Sequence, residues 1–437
     1  MHPIVRAASL ILLSVAAGCG QPRPADGVAV ERTNSPAHAG KPRVILVSLD
    51  GFRWDFLDRF DAPALRRLGE SGARAERLVP SFPTVTFSNH YSIATGMRPG
   101  RHGIVGNRFL DRNEGRGYSF RDRNDVEDGT WYGGEPIWVT AEKQGMTTAA
   151  YFFAGTEADV AGVRPTRWHR FSPGIPAIER VDAALAWLAE PEATRPHLVL
   201  LYFEHVDAVG HVHGSDAPET AAAVRDVDAL IGRLMSGIAG LPDSENVYLV
   251  VVSDHGLRDV RTQAAPFIVD DVVDLAGADM VAAGSYMLLY LADPAAAPAA
   301  RDRINAAWSS GRAYLPAETP TTWEASENPR FGDLILVADP GYLVLPRIRA
   351  AQPVDRAGHG WAPEDPAMHG ILLMAGPGIP PGTRLPAVGN IDLYPLLARM
   401  LGVQPAEGLD ADPAAFDGLI VTTTRQALRG PAREKRP

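Results

Sequence analysis

Six side chains of types that bind divalent metal ions follow the apolar stretches of this sequence or lie in nearby loops. Aspartate and histidine together are typical ligands of Zn²⁺ and similar ions. Three carboxylates at one sheet edge would repel one another strongly in a low dielectric unless cations lay among them. The pattern therefore predicts a metal site, although an aspartate at a strand end is, taken alone, more often a turn or cap residue. The six residues are Asp50, Asp207, Asp254, His211, His255 and His359.

A hydroxyl group that could act as a nucleophile lies in the segment from residue 80 to residue 107. Pro80 and Pro83 keep the backbone extended, and the short helix expected after them should stop at Gly96. The N–H groups and the dipole at a helix start favour negative charge, which would help a Thr86 alkoxide to form and would hold a phosphoryl oxygen. The alternative is that Thr86 only caps the helix.

Three aspartates, three histidines and one hydroxyl divide naturally into two metal sites. Two metal ions about 4 Å apart can hold both the attacking and the leaving oxygens of an in-line phosphoryl displacement. One ion would lower the pKa of the Thr86 hydroxyl, and the other would stabilise first the leaving group and then the hydroxide that releases the enzyme. Other interpretations stay open, because Asp207 and His211 could simply pair across one helical turn and His255 could be an exposed turn residue.

The elements that must position these residues follow from the hydrophobic pattern. Continuous apolar runs at 44–49, 197–203 and 247–252 predict strands that are buried on both faces. Strands alternating with helices predict an α/β fold with a central, mostly parallel sheet and helices on both faces. Such sheets place their sites at the carboxyl ends of the strands. Apolar residues recur at helical spacing at 62–73, 179–190, 224–238 and 391–401.

The composition of the sequence changes between residues 264 and 357, where short segments of alternating apolar and polar residues are separated by many Pro, Ala and Gly residues. We interpret this stretch as a smaller inserted or capping α+β subdomain. Residues 42–263 and 358–404 would then form the catalytic domain, and residues 405–437 a C-terminal tail. The tail is basic from Arg425 onward and is expected to be disordered.

The first 41 residues have the pattern of an exported lipoprotein. Arg6 precedes an apolar run too short to span a bilayer as a mature helix, which predicts a signal peptide over residues 1–18. Cys19 is the only cysteine, which excludes a disulfide framework, and its position after Ala-Gly resembles a bacterial lipobox. Residues 19–41 would then be a lipidated, flexible linker that tethers a periplasmic protein to the membrane. The alternative is an ordinary signal peptide that happens to contain a cysteine.

The overall charge limits the partners of the chain. A formal net charge of -10 over 437 residues argues against a surface that coats nucleic acid, but it does not exclude a small nucleotide at a metal site. The expected partner is therefore a small-molecule nucleotide or phosphodiester substrate, without stable binding of nucleic acid.

Several different short motifs follow one another along the chain. They are Asp50-Gly51, Pro-Thr-Val-Thr-Phe-Ser-Asn-His-Tyr from Pro83, the run from Trp131 to Trp138, Asp207-x-x-Gly-His211, Ser-Asp254-His255-Gly256, His359-Gly360 and the run from Asn390 to Pro395. This set resembles the nucleotide pyrophosphatase/phosphodiesterase family of the alkaline phosphatase superfamily. The resemblance covers about residues 44–401 and implies an alkaline-phosphatase-like α/β fold.

The resemblance further implies a two-zinc phosphodiesterase, with two Zn²⁺ or similar divalent ions as cofactors. Thr86 would be the nucleophile and would form a covalent phosphothreonine intermediate. The ligands implied are Asp50, Asp254 and His255 for the ion beside Thr86, and Asp207, His211 and His359 for the other ion.

Three further residues gain a role from the resemblance. Asn107 would donate a hydrogen bond to a non-bridging phosphate oxygen, as an uncharged donor aimed at developing charge. Phe87 and Trp168 would hold a nucleobase between them. The chain departs from the family in having Trp168 where Tyr is usual and Ser88 where Pro is common.

The resemblance leaves the substrate open. Phosphonate hydrolysis and cleavage of phospholipid-type diesters with a choline head group are alternative activities. No sulfatase motif is present, and Thr86 with Asn107 differs from the Ser and Arg expected of a phosphomonoesterase. An adhesion or scaffold domain with vestigial catalytic residues is disfavoured because the ligand set and Thr86 are complete. His90, His205 and His213 are interpreted as structural, because six ligands already fill two sites.

Overall fold

The computed structural model describes residues 27–420 of the chain. The predicted signal peptide, Cys19 and the basic end of the tail therefore lie outside the described residues. Over residues 27–420, no helix combines the length and the apolar character that crossing a membrane requires.

The described residues form α-helices and strands that alternate along much of the chain. The helices are α1 (Phe56–Arg59), α2 (Pro63–Ser71), α3 (Thr86–Thr95), α4 (Pro99–His102), α5 (Arg123–Glu127), α6 (Ile137–Lys143), α7 (Ala177–Leu188), α8 (His205–His213), α9 (Pro218–Ala239), α10 (Ala297–Ala307) and α11 (Leu393–Leu401). The first ten strands are β1 (Gly27–Ala29), β2 (Arg43–Leu49), β3 (Ala73–Ala75), β4 (Leu78–Val79), β5 (Arg108–Asp111), β6 (Arg116–Ser119), β7 (Thr148–Tyr151), β8 (Arg167–His169), β9 (Leu198–Phe203) and β10 (Val247–Val252). The others are β11 (Arg258–Asp259), β12 (Phe267–Ile268), β13 (Asp279–Ala282), β14 (Tyr286–Tyr290), β15 (Gly311–Tyr314), β16 (Leu334–Ala338), β17 (Val344–Leu345), β18 (Ala357–Gly358), β19 (Leu372–Ala375), β20 (Thr383–Leu385) and β21 (Val388–Gly389).

A central mixed sheet has the strand order β1-β8-β7-β9-β2-β10-β19-β3-β20. Its middle is parallel, because β8, β7, β9, β2 and β10 all run in one direction. Antiparallel pairings lie towards the edges, where β19 pairs with β10 and β1 pairs with β8. The α/β fold with a mostly parallel central sheet is therefore confirmed.

Side chains of the central strands alternate between two hydrophobic cores. In β2, Val44 and Leu46 lie in one core and Ile45 and Val47 in the other, and all four are fully buried. Helices α2, α7 and α9 cover the second core, whereas α3, α6 and α11 cover the first. Because successive strand residues face opposite sides, a sheet with helices on both faces requires continuous apolar runs.

A second sheet, of four antiparallel strands, has the order β13-β14-β16-β15 and lies within the predicted subdomain at 264–357. Its strands alternate as well. Met287 and Leu289 pack with helix α10 in a core of their own, whereas Tyr286 and Leu288 join the first core of the central sheet. The small sheet is thus bound to the main body through a shared apolar face.

The described part of the predicted flexible linker is ordered, in contrast to that prediction. Residues 27–29 form β1, which extends the central sheet by pairing with β8. The Asn34 side chain donates to the carbonyls of Glu192 and Arg195 and accepts the N–H of Thr147. A polar, Pro-rich composition predicts no structure, but an edge strand is held by backbone hydrogen bonds that need no apolar pattern.

The polar, glycine-rich sequence of residues 111–134 predicts a loop, but these residues contain regular structure. Strands β5 and β6 form an antiparallel hairpin, in which Phe109 stacks on Tyr118 with ring centroids 4.9 Å apart. Helix α5 follows. Strands of four residues with one polar face are too short to give a clear hydrophobic period in the sequence. The cross-strand contact between Phe109 and Tyr118 stabilises the hairpin.

Candidate active site

The carboxyl ends of β9, β2 and β10 lie side by side, because these strands are parallel neighbours. Asp50 follows β2, Asp254 follows β10, and Asp207 lies in the first turn of α8, just after β9. The N–H of Asp207 donates to the carbonyl of Asp50 at 3.2 Å. The sheet topology therefore brings the three aspartates together at one edge.

Gly51 permits this close approach. Its φ of +67° is in the left-handed region, and a Cβ at this position would lie 2.8 Å from the Cβ of Asp207. Any larger residue would combine backbone strain with a clash, so the glycine is needed to place α8 against the end of β2.

Asp50, Asp254 and His255 form the first group of possible ligands, and all three are buried with ligand atoms within 4.8 Å of one another. The Nε2 atom of His255 is 3.4 Å from Asp50 Oδ1 and 3.1 Å from Asp254 Oδ2. The Tyr202 hydroxyl donates to the other oxygen of Asp50, and His90 Nδ1 lies 3.3 Å from Asp254 Oδ2. The hydrogen bond from Tyr202 orients the Asp50 carboxylate.

Asp207, His255 and His359 form a second group, so His255 is common to both groups. The rings of His255 and His359 stack with centroids 3.7 Å apart. His211 lies beside this group, with Nε2 3.4 Å from Asp207 Oδ1 and Nδ1 3.0 Å from Asp355 Oδ2. Burial lowers the pKa of His211, but the Asp207 carboxylate outweighs burial and raises it to about 11. The structure thus places all six sequence-predicted ligands at one centre.

The unpaired oxygens of the aspartates fit divalent cations. Asp50 Oδ1, Asp207 Oδ1 and Asp254 Oδ2 are buried and accept no hydrogen bond from the described residues. Burial, followed by the charges of neighbouring carboxylates, raises the pKa of Asp50 and Asp254 well above the usual range. Burial lowers the pKa of His255 and His359, which leaves neutral imidazoles with lone pairs to offer. Cations would compensate the buried carboxylates and use these lone pairs.

Thr86 begins helix α3 and faces the first group, with its Oγ1 atom 3.4 Å from His255 Nε2. The preceding residue, Val85, is extended, and Gly96 ends the helix in the left-handed conformation at φ +66°. The extended entrance and the glycine stop therefore lie where the sequence predicts them. The helix start favours negative charge on the Thr86 oxygen.

A buried amide network holds the loop that leads into α3. The Asn89 side chain donates to the carbonyls of Pro83 and Val85, at 2.9 and 3.0 Å. Its oxygen accepts the N–H of Ser81 at 2.8 Å and the amide of Asn390 at 2.9 Å. Because every polar atom of Asn89 is paired, the network fixes the backbone just before Thr86.

Asn107 is oriented by the backbone of α3. Its Oδ1 atom accepts the N–H of Phe87 at 2.9 Å. An N–H can meet only the carbonyl end of the amide, so the amino group is the end that can donate to a substrate. This arrangement agrees with the donor role implied for Asn107 and places the donor next to the residue that follows Thr86.

Phe87 is half-buried and contacts the rings of Tyr118 and Phe120, with centroids 6.2 and 5.9 Å away. Trp168 lies in β8 and is only 5% exposed, and the guanidinium carbons of Arg164 and Arg170 are 5.4 and 5.7 Å from its ring. Among the described residues, the ring contacts of Phe87 are with Tyr118 and Phe120, not with Trp168. Their joint role in holding a base stays a prediction.

The histidines interpreted as structural lie outside both ligand groups. His90 Nδ1 donates to the carbonyl of Thr86 at 2.8 Å, and His213 Nδ1 is 3.8 Å from Glu219. Sequence reasoning missed two residues that contact the ligands, Tyr202 and Asp355. Tyr202 lies within the continuous apolar run of β9, and Asp355 lies in an irregular segment of the subdomain. Neither position therefore has a sequence pattern that indicates a contact with the site.

Comparisons with known proteins agree with this geometry. Residues 44–371 match the family described as Type I phosphodiesterase / nucleotide pyrophosphatase. A pyrophosphatase/phosphodiesterase of Schizosaccharomyces pombe, itself uncharacterized, is 30% identical, and the match covers 86% of this chain and 80% of the relative. The bis(5'-adenosyl)-triphosphatase enpp4 of Xenopus laevis is 29% identical over 87% of this chain and 83% of its own length.

Other relatives are longer, and solved structures share the fold. The chain is 29% identical to ectonucleotide pyrophosphatase/phosphodiesterase family member 1 of Rattus norvegicus but spans only 42% of that protein's length. An inactive variant of murine ectonucleotide pyrophosphatase/phosphodiesterase 5 in complex with AMP superposes with a TM-score of 0.82 at 25% identity, over 87% of this chain and all of that one. The chain therefore belongs to the type I phosphodiesterase/nucleotide pyrophosphatase family of hydrolases, within the alkaline phosphatase superfamily.

Proposed function

We propose that this chain is a metal-dependent hydrolase that cleaves phosphodiester or phosphoanhydride bonds of nucleotides. The observation that carries the proposal is the position of Thr86, whose Oγ1 lies 3.4 Å from His255, the side chain common to both ligand groups. The names of the relatives support it, because one is a bis(5'-adenosyl)-triphosphatase and another was solved with AMP.

We propose two Zn²⁺ or similar divalent ions as cofactors, and the two overlapping groups of possible ligands support this proposal. We assign one ion to Asp50, Asp254 and His255, and the other to Asp207, His211 and His359. This division gives each ion three protein ligands and an open position, as in catalytic zinc sites. When bound, the ions stabilise charge on the attacking and leaving oxygens.

In the proposed reaction, Thr86 Oγ1 forms a bond to phosphorus while the bond to the leaving oxygen breaks, which gives a phosphothreonine. The hydroxyl proton of Thr86 is released to solvent, and the leaving oxygen takes up a proton from solvent. The Asn107 amino group donates to a non-bridging oxygen, where charge develops. Water then attacks the same phosphorus, the Thr86–phosphorus bond breaks, and Thr86 regains its proton. The helix start and the Asn89 network hold Thr86 in place through both steps.

The first test compares hydrolysis of bis-p-nitrophenyl phosphate and p-nitrophenyl phosphate, with and without a chelator. We expect a strong, chelator-sensitive preference for the diester. Thr86→Ala should keep its fold and metal content but lose at least about 10³-fold in kcat, whereas Thr86→Ser should keep part of the activity because a hydroxyl remains. Preference for the monoester, or substantial turnover by Thr86→Ala, would contradict the proposal.

We also propose that the chain is exported and anchored through a lipid on Cys19, which lies outside the described residues. Mass spectrometry of the mature protein and its recovery in the membrane fraction test this. A Cys19→Ser variant should move to the soluble periplasmic fraction. A wild-type protein that is already soluble and lacks a lipid would show an ordinary signal peptide instead.

A further inference from the structure

Thr84 lies two residues before Thr86, in the loop that leads into α3, and it is completely buried. It takes no part in the proposed reaction. Three hydrogen bonds nevertheless join this one residue to three consecutive residues of another loop, His359, Gly360 and Trp361. His359 is 275 positions away in the sequence, so the contacts form only in the folded chain. They connect the loop before the proposed nucleophile to the loop of a predicted metal ligand.

The first of these bonds fixes the orientation of the His359 ring. His359 Nδ1 lies 2.9 Å from the carbonyl oxygen of Thr84. A carbonyl oxygen can only accept a hydrogen bond, so Nδ1 carries the proton and a neutral ring has its lone pair at Nε2. The Nε2 atom is 3.8 Å from Asp207 Oδ1, within the second group of possible ligands. The backbone of Thr84 therefore selects the ring nitrogen that is able to bind a metal ion.

The other two bonds use the hydroxyl group of Thr84 and hold the backbone beside His359. The hydroxyl donates to the carbonyl of Trp361 at 2.8 Å and accepts the N–H of Gly360 at 2.9 Å. Gly360 has a φ of +97°, and a Cβ at this position would lie 2.4 Å from the Oγ atom of Ser285. Ser285 precedes β14 and donates to the carbonyl of His359 at 2.7 Å. The loop at 359–361 is thus held by Thr84 on one side and by the small sheet on the other.

Another buried threonine makes the same kinds of bond far from the predicted ligands. Thr95, at the end of α3, is completely buried as well. Its hydroxyl donates to the carbonyl of Tyr91 at 2.7 Å and accepts the N–H of Met97 at 3.3 Å. These partners belong to the same segment of the chain as Thr95, whereas the partners of Thr84 belong to the loop that carries His359. A comparison of the two threonines can therefore separate an effect on the metal site from an effect on stability alone.

We propose that Thr84 is a positioning residue that holds His359 as a metal ligand through Nε2 and joins this ligand to the loop before the nucleophile. This inference rests on the proposed function, because it takes His359 as a ligand of the ion assigned to Asp207 and His211. Thr84 acts through His359 and contacts neither the substrate nor the ion. Loss of such support for a ligand commonly costs about 10–100-fold in metal affinity. Removal of the hydroxyl should therefore weaken metal binding, and turnover should fall as a consequence.

The experiment measures the transfer of zinc from the loaded protein to a chromophoric chelator. Thr84→Val keeps the shape of the side chain but removes its hydroxyl, so one of the two Zn²⁺ ions should bind about tenfold more weakly or worse, and the other should keep its affinity. Thr84→Ser retains a hydroxyl and should bind both ions within about threefold of the wild type. Ser285→Ala releases the other side of the loop at 359–361 and should also weaken one ion.

Turnover gives a second measurement. At a zinc concentration that just saturates the wild type, kcat of Thr84→Val for bis-p-nitrophenyl phosphate should fall about tenfold or more. Excess zinc should restore kcat to within about threefold of the wild type, because mass action fills the weakened site again. Thr95→Val is the matched control. It should lower the melting temperature, because it leaves buried groups without partners, but it should not change the zinc affinity or the dependence of kcat on zinc.

Three results would contradict the proposal. Wild-type affinity for both ions in Thr84→Val would overturn it, and so would an equal loss of affinity in Thr95→Val, since that loss would reflect destabilisation alone. If Thr84→Val does not fold, Ser285→Ala decides, because unchanged zinc binding there would show that the loop at 359–361 needs no support. A wild-type protein that binds fewer than two ions would instead contradict the metal centre of the proposed function.

Discussion

The side-chain oxygen of Asn107 accepts the N–H of Phe87, and its amino group is left to donate to a substrate. The importance of the amino group can be tested by substitution. Asn107→Ala removes the donor, so we expect kcat for a diester to fall about 10²-fold or more, with little change in KM. Asn107→Asp keeps the acceptor for the Phe87 N–H but replaces the donor by a negative charge, and it should be at least as damaging. Asn113→Ala, at an exposed position in the same hairpin, is the matched control. Wild-type kcat in Asn107→Ala would remove this residue from the mechanism.

Asp355 contacts His211 on the side away from Asp207 and is expected to act by positioning that ring. A carboxylate behind a metal-ligating histidine fixes its orientation, and its loss commonly costs about 10–100-fold in metal affinity. We therefore expect Asp355→Asn to bind one of two Zn²⁺ ions more weakly, as measured by competition with a chromophoric chelator. Asp279→Asn, an exposed aspartate in β13, should bind both ions normally. Two ions bound with unchanged affinity in Asp355→Asn would show that His211 needs no such support.

At this scale the sequence predicted the side chains that gather at the candidate site better than the residues around them. Asp50, Asp254 and His255 lie within three residues of the ends of apolar runs, so their types and their place at strand ends both point to a site. Asp355 has neither signal, because its contact with His211 arises only when the subdomain folds back onto α8. Contacts made by loops from distant parts of the chain have no local pattern to read.

Among the elements, α8 depends on a buried ion pair at its start. Arg180 of α7 is fully buried and donates to both carboxylate oxygens of Glu204, at 2.6 and 2.9 Å, three residues before Asp207. Burial raises the pKa of Glu204, but the bond and charge of Arg180 outweigh burial and hold it below its usual value. Glu204→Gln leaves a buried guanidinium without its charge partner, which should lower the free energy of unfolding by about 3 kcal/mol at neutral pH.

The same ion pair predicts a pH dependence. A carboxylate with a lowered folded-state pKa stabilises the protein above its unfolded pKa and loses that contribution as the pH falls through the folded value. The difference between wild type and Glu204→Gln, measured by urea unfolding, should therefore shrink as the pH falls below the usual pKa of glutamate. Asp182→Asn, which breaks an exposed pair with Arg233, should show no difference at any pH. A gap that persists in acid would exclude the ion pair as its source.

The elements that the sequence predicted well are those whose apolar pattern is long. β2, β9 and β10 follow from continuous apolar runs, and α3 follows from its prolines and Gly96. The β5–β6 hairpin did not, because its strands are short and its stability depends on one cross-strand aromatic pair. Strand β1 is held by backbone hydrogen bonds to β8. Such bonds do not depend on the side chains, so the sequence pattern did not predict this strand.

For the molecule as a whole, metal binding and stability should be coupled. The ligands come from three strand ends and a loop of the chain, so ions that bind them would hold these parts together only in the folded state. An ion present at about a thousand times its dissociation constant adds about 4 kcal/mol. We expect a chelator to lower the melting temperature in calorimetry, and by the same amount in Thr86→Ala, which keeps all six ligands. A melting temperature that does not change when the chelator is added would mean that the site holds no tightly bound ion.

The ordered segment before residue 42 has a practical consequence. A chain shortened to the catalytic boundary that the sequence suggests would lose β1 and Asn34 together, exposing the unpaired edge of β8 and releasing the loops at Thr147 and Arg195. Open sheet edges recruit strands from other molecules. Such a shortened protein should form aggregates during expression or concentration, whereas one that begins at residue 27 should stay monodisperse in light scattering. The start site chosen for recombinant production thus decides whether the sheet ends within one molecule or continues into the next.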